Sequence, residues 1–291
     1  MSGSAELATM ALPEAATEAE RRPLDLVGRL RRLASVAIPP FLFFLGIIGF
    51  WIFISLVWLH PSKRFLLPPP WQVLTQGFLD PTAFNQIMTS LWLTMKAAIV
   101  GYGIAIAIGM TTAITMSQAK WLERSIYPYA VILQTIPILA LVPVIGFTLG
   151  YDFPSRVLVT VLIALFPIIT NSLFGLLSVE KGMHDLFTLH NVGRWERLWK
   201  LQLPAGLPAI FTGLRTSAGL AVVGSIVGDF FFQQGDPGIG SLINLYINRL
   251  ETQQLYAAVI VSSLVGVLVF VLVGLINQRV VGRWHTSTRG N

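Results

Sequence analysis

Gly182–Pro208 reads GMHDLFTLHNVGRWERLWKLQLPAGLP, a long polar interruption in the hydrophobic second half of the chain. Its apolar residues recur at helical spacing in two runs. Leu186, Phe187 and Leu189 lie in the first, and Trp195, Leu198, Trp199 and Leu201 in the second. Asn191, Val192 and Gly193 fall between them, and Asn and Gly tolerate positive φ, so the spacing predicts helix, turn, helix. Glu196 and Lys200 stand four apart in the favourable order, while Pro204 and Pro208 are expected to disturb the second helix. Lys181, Asp185, Arg194, Arg197 and Lys200 make immersion in lipid costly. The stretch is therefore a helical hairpin outside the hydrocarbon, with an apolar face to bury. Pattern alone leaves two readings level: an amphipathic interfacial loop, or an element that docks on a partner.

What flanks the hairpin decides the class. Of 291 residues, 54% are hydrophobic and 12% charged, which is the balance of a membrane protein rather than a soluble domain. Runs of about 20 apolar residues, enough to cross about 30 Å of hydrocarbon, lie at 38–59, 90–116, 127–149, 157–177, 209–232 and 255–276. The expected architecture is all-α, with six transmembrane helices. Residues 1–37 form a cytoplasmic tail whose first part is expected to be disordered, 38–276 the membrane domain, and 277–291 a second cytoplasmic tail. The start of the chain is acidic and lacks an apolar core, so it is not a secretory signal.

Lys and Arg fix the orientation. Arg21, Arg22, Arg29, Arg31 and Arg32 precede the first span, Lys120 and Arg124 follow the second, four basic residues lie in the hairpin, and Arg279, Arg283 and Arg289 follow the last. The opposite side carries Lys63, Arg64 and Arg249, with Arg156 at a helix end. Both termini and the hairpin are therefore cytoplasmic. The formal charge of +6 is dispersed over loops, which argues against nucleic acid. There are no cysteines, the four histidines are scattered, and neither a P-loop nor a GxSxG elbow is present, so no catalytic constellation or metal site is expected.

Within the spans, Gln134, Thr135, Asn171 and Ser172 either line a translocation path or serve as hydrogen-bonding glue between helices. Asp229, near the outer end of span five, is a further candidate for the translocation path, as an outer-gate residue or as a helix-end partner for a cation that the sequence does not identify. Lys96 is expected to snorkel to the outer headgroups, and Arg215 to serve structure near the cytoplasmic start of span five. Gly101, Gly103 and Gly109 suit close helix packing. On the outer side, the triple proline at 68–70 favours an extended segment, and GDPG at 235–238 a turn.

The hairpin resembles the EAA loop of binding-protein-dependent ABC importer permeases, of pattern E-A-A-x3-G-x9-I-x-L-P. Asp185 stands for the Glu, Leu186 and Phe187 for the alanines, Asn191 for the Gly, and Leu201, Leu203 and Pro204 close the motif at unchanged spacing. LLPPPWQVL (66–74), IPILALVPVIGFTLG (136–150), FPIITNSLFGL (166–176) and LPAGLPAIFTGLR (203–215) resemble the nitrate, sulfonate and taurine group of these permeases. The resemblance implies a type I ABC importer fold in a bacterial-type inner membrane. It also implies a second permease chain, expected to be a second copy, and an extracytoplasmic binding protein. Separate ATPase subunits would hold ATP and Mg, and no cofactor is expected in this chain. Asp185, Leu186, Phe187, Asn191, Arg194, Trp195, Leu198, Trp199, Leu203 and Pro204 would form the ATPase-coupling element. A small anion is the favoured substrate. A thiamine-pyrimidine-like or other aromatic precursor is the alternative, and an ATP-independent secondary transporter ranks below both.

Overall fold

The computed structural model describes residues 26–281, all of whose regular elements are helical. Among the described residues five helices are long and apolar enough to cross a membrane, and six if the bent pair counts as one crossing. The first, α1 (Leu26–Phe53), begins well before the expected span and passes through Pro39 and Pro40. The expectations for residues 1–25 and 282–291 lie outside the described residues. After a 3₁₀ turn, only the first two prolines of the triple-proline segment keep an extended path, since Pro70 opens the short α2 (Pro70–Val73). α3 (Pro81–Ser117) extends nine residues beyond the expected span on the outer side, its start capped by Asp80 accepting from the Thr82 N–H at 3.0 Å.

The third crossing departs most from expectation. It consists of α4 (Lys120–Thr135) and α5 (Ile138–Leu149), bent by 97° at Ile136 and Pro137. Pro137 supplies no N–H and disfavours helical geometry at Ile136, which is extended at φ −66°, ψ 125°. α6 (Phe153–Leu177) then returns to the cytoplasm. α7 (Lys181–Leu189) and α8 (Arg194–Arg197) form the hairpin, α9 (Leu203–Phe231) crosses outward, α10 (Ile239–Arg249) lies on the outer side, and α11 (Thr252–Val281) crosses back. Sequence reading took the α10 segment for loop, because the turn residues of 235–238 masked the helix immediately after them.

Small residues build the centre. α6 and α9 run antiparallel, and α9 presents four glycines to α6. A Cβ at Gly206 would lie 2.8 Å from Gly175, one at Gly213 2.8 Å from the Pro167 carbonyl, one at Gly224 3.0 Å from the Thr160 Cα and one at Gly228 2.9 Å from the Arg156 Cα. Lipid offers no hydrophobic drive for helices to associate, so backbone proximity supplies the dispersion contact instead. α3 joins α6 in the same way, with Gly101 against Thr160 and Gly109 against Ile168. Gly103 faces open space and plays no part in this packing. α6 is consequently the most enclosed span, 56% buried in its most apolar window, whereas that of α1 is 6% buried.

Candidate functional site

The hairpin forms as the pattern predicts at its turn. α7 ends at His190, Asn191 takes φ 52°, and the Val192 N–H reaches back to the Phe187 carbonyl at 3.0 Å. Asparagine is among the few non-glycine residues that adopt this conformation readily. The Arg197 guanidinium donates to Thr188 Oγ1 at 2.9 Å and ties the two legs together, while Lys200 meets Glu196 at 2.6 Å.

The second leg is not a separate helix. α8 passes through a wide π-type turn, Leu198–Gln202, directly into α9, so one helical path runs from Arg194 to Phe231. Pro204 lacks an N–H, and its ring would clash with a carbonyl one turn earlier; the widened turn lies immediately before it. The prolines thus disturb the helix without ending it.

The hairpin divides its apolar residues between two surfaces. Met183, Leu186, Leu189, Trp195 and Trp199 are exposed, the last three at 79%, 69% and 68%. Leu198, expected on the docking face, is instead 1% exposed and packs with Met116, Leu176 and Ile210 in the cytoplasmic half of the core. Leu201 is buried with it, so the second leg turns Leu198 and Leu201 to the core and Trp195 and Trp199 outward. Leu203 packs against the same cluster; Asp185, Asn191, Arg194 and Pro204 are exposed, and Phe187 is half-buried.

At the outer ends of the central helices lies a network that sequence reading left without a partner. Asp229 on α9 is fully buried and forms an ion pair with Arg156 on α6 at 3.4 Å. Thr94 on α3 donates to its other carboxylate oxygen and accepts the Ile239 N–H at 2.7 Å. Arg156 also donates to the carbonyls of Phe232, Gln234 and Asp236 at 2.9, 2.6 and 2.8 Å. One guanidinium therefore satisfies the three carbonyls of the loop that follows α9, and one carboxylate neutralises it. Gly238 and Gly240 are required here, since a Cβ on Gly238 would lie 2.1 Å from Asp229 Oδ2 and one on Gly240 2.2 Å from the Ile226 carbonyl. The available signal for Arg156 was a cation at the start of an apolar span, but its place at a helix end, four residues after Asp152, concealed its pairing with Asp229.

The other path candidates separate. Gln134 and Thr135 are exposed beside the 97° break. Asn171 is folded back, its amide donating to the Pro167 carbonyl at 2.8 Å where Gly213 of α9 crosses. Ser172 is fully buried and donates to Met110 Sδ at 3.2 Å. Ser172 and Asp229, expected as possible path residues, are buried between helices in this conformation, Ser172 joining α6 to α3 and Asp229 joining α9 to α6 and α3. No group of three or more His, Asp or Glu suited to a metal ion occurs among the described residues.

Comparison with known proteins fits this arrangement. Residues 103–282 match the family described as binding-protein-dependent transport system inner membrane component. The formylaminopyrimidine transport permease protein ThiX of Halalkalibacterium halodurans is 31% identical over 80% of this chain and 91% of its own length. The riboflavin transport system permease protein RibX of Chloroflexus aurantiacus is 30% identical over 79% of this chain and 85% of its own. The putative aliphatic sulfonates transport permease protein SsuC of Bacillus subtilis is 26% identical over 79% and 81%. With a multi-pass bundle, a cytoplasmic EAA-like hairpin and a match over most of the membrane domain, the chain belongs to the family of binding-protein-dependent ABC permeases, with the type I fold.

Proposed function

We propose that this chain is the membrane-spanning subunit of an ATP-driven importer in a bacterial-type inner membrane. It receives solute from an extracytoplasmic binding protein and is driven by separate ATPase subunits that hold ATP and Mg. The observation that carries this reading is the exposed cytoplasmic face of Met183, Leu186, Leu189, Trp195 and Trp199. Two exposed tryptophans on a charged hairpin are costly in water and are the residue type that anchors interfaces. An ATPase cleft would cover them, with Asp185 and Arg194 at the polar rim. Leu186 and Phe187, larger than the alanines of the usual motif, call for a correspondingly roomier cleft. Two copies of the permease chain would enclose the path, with Gln134 and Thr135 at the break of the third crossing as the polar groups open to it.

For the substrate, the names of the two relatives at 31% and 30% identity support an aromatic nitrogen heterocycle, the alternative at first ranked second. A small anion remains the second reading. The name of the 26% identical aliphatic sulfonates permease supports it; the cavity of about 250 Å³ beside Lys96 and Arg156 is also lined by Asp152 and Asp236 and favours neither reading.

The test has two parts. Trp195→Glu/Trp199→Glu should insert normally but lose the copurifying ATPase; full retention of the complex would refute the coupling role. Vesicles containing the complex should take up a labelled pyrimidine in preference to an alkylsulfonate, and only with ATP on the cytoplasmic side and binding protein on the other. Uptake driven by an ion gradient without nucleotide would refute the importer reading.

A further inference from the structure

Arg215 on α9 stacks on Phe270 of α11, its Cζ 4.0 Å from the ring centroid. It fills the space above Gly274, where a Cβ would lie 2.9 Å from Nε. That Nε is buried without a hydrogen-bond partner, and neither ion pair among the described residues includes Arg215. A guanidinium stays charged at every physiological pH, and a cation held against a bilayer without a counter-charge is costly. Its depth is set by α11. From Thr252 to Gly274 the helix covers about 33 Å at about 1.5 Å per residue, against about 30 Å of hydrocarbon. With Thr252 at the outer surface, Arg215 stands at the level of the cytoplasmic headgroups.

From Phe270 an apolar cavity of about 510 Å³ leads away toward the outer side, between α9 and α11, with Ile243 of α10 at its far end. Gly219 and Gly266 hollow its walls, and Val222, Val223, Val259 and Val267 line it. Its hydroxyls are already committed, since Ser262 and Ser263 donate to the carbonyls of Ala258 and Val259 at 2.7 and 2.8 Å. Val223, Val259 and Val267 remain 51%, 42% and 59% exposed, so the groove opens sideways. From Val259 to Phe270 it extends about 16 Å along α11, the depth of one leaflet. A groove with no free donor and one cation at its cytoplasmic end has the polarity of a phospholipid.

We propose that the α9–α11 groove binds one anionic phospholipid of the cytoplasmic leaflet, an acyl chain lying between the valines of the two helices and the phosphate held by the Arg215 guanidinium. Basic pockets between transmembrane helices on the cytoplasmic side are suited to such headgroups. This reading is independent of the transported solute and of the coupling role of the hairpin.

The test uses the full chain purified in mild detergent and measured by native mass spectrometry with phosphatidylglycerol and phosphatidylcholine of identical acyl chains. The wild-type protein should retain one phosphatidylglycerol per chain, preferred over phosphatidylcholine by roughly tenfold, as a charge-assisted contact implies. Arg215→Gln should abolish the preference while leaving residual binding of both lipids. Gly266→Leu should abolish retention of both, and its backbone should tolerate the change, because a Cβ there meets Val222 at 3.9 Å. Equal retention of the two lipids by the wild type, or an unchanged preference in Arg215→Gln, overturns the proposal. Full displacement of phosphatidylglycerol by inorganic phosphate, with Gly266→Leu unaffected, overturns it in favour of a free-anion site. Efficient disulfide cross-linking of Val223→Cys between two copies in native membranes overturns it in favour of a subunit contact.

Discussion

Replacing Arg156 with Met should release the outer loop and destabilise the whole chain. The guanidinium is 4% exposed and makes three hydrogen bonds of 2.6 to 2.9 Å to loop carbonyls, while its ion pair with Asp229 is longer, at 3.4 Å. The substitution strands a buried carboxylate and removes a side-chain donor from three carbonyls. Breaking a buried pair from one side costs about 3–5 kcal/mol. Asp229→Asn is the milder change. It also leaves a buried charge without its counter-charge, but Thr94 keeps an acceptor and Arg156 keeps its three carbonyls, so the loss should lie at or below the low end of that range, about 3 kcal/mol. Because the two residues share one network, Arg156→Met/Asp229→Asn should cost less than the sum of the singles. The assay is thermal unfolding of the detergent-solubilised full chain, followed by tryptophan fluorescence, with limited proteolysis between Phe232 and Gly238 as the local readout. Equal effects of the two single changes, or strict additivity in the double, would refute the view that Arg156 acts chiefly as the clamp of this loop and Asp229 as its counter-charge.

Three further outcomes follow from the packing. Gly228→Ala places a methyl 2.9 Å from the Arg156 Cα and should lower the unfolding midpoint, at about 1–3 kcal/mol for overpacking, whereas Gly103→Ala, which meets nothing, should be neutral or slightly stabilising. Asn191 at φ 52° should accept Gly with little change, while Asn191→Val should cost about 1–2 kcal/mol and raise protease sensitivity of the hairpin in the absence of partner subunits. Leu198→Ala, in the buried cytoplasmic cluster, should cost about 2–5 kcal/mol by thermal unfolding, and Trp195→Ala close to none; equal losses would mean that the tryptophan is not free on the isolated chain.

The crossings and their orientation were legible in the sequence because hydropathy and Lys/Arg placement are local sums over neighbouring residues. The turn at Asn191 was legible for the same reason: one residue type satisfies one backbone requirement. Pairings were not. Arg156 and Asp229 lie on different helices, and each alone looked like an ordinary helix-end charge. Leu198 was assigned to the wrong surface because the apolar residues of the second run were read as one face, whereas Trp195 and Trp199 turn outward and Leu198 and Leu201 turn to the core. The size of the break at Pro137 was not legible for a related reason, since a proline's local effect is known from sequence but whether neighbours restore the axis is not.

The continuity of the helix from Arg194 to Phe231 bears on how the molecule works. A single helical path carries Trp195 at one end and Asp229 near the other, and α9 is joined to α6 by glycine contacts along its length. Interfaces this close resist gradual deformation, because any change in separation breaks backbone contact. α6 and α9 therefore move together, and the outer clamp of Arg156 and Asp229 moves with them. The widened turn at Leu198–Gln202 is where the hairpin meets this body, and Leu198 and Leu201, both buried, bind the turn to the core. A hairpin anchored in this way passes displacement into the bundle instead of absorbing it, which is the mechanical property a coupling element requires.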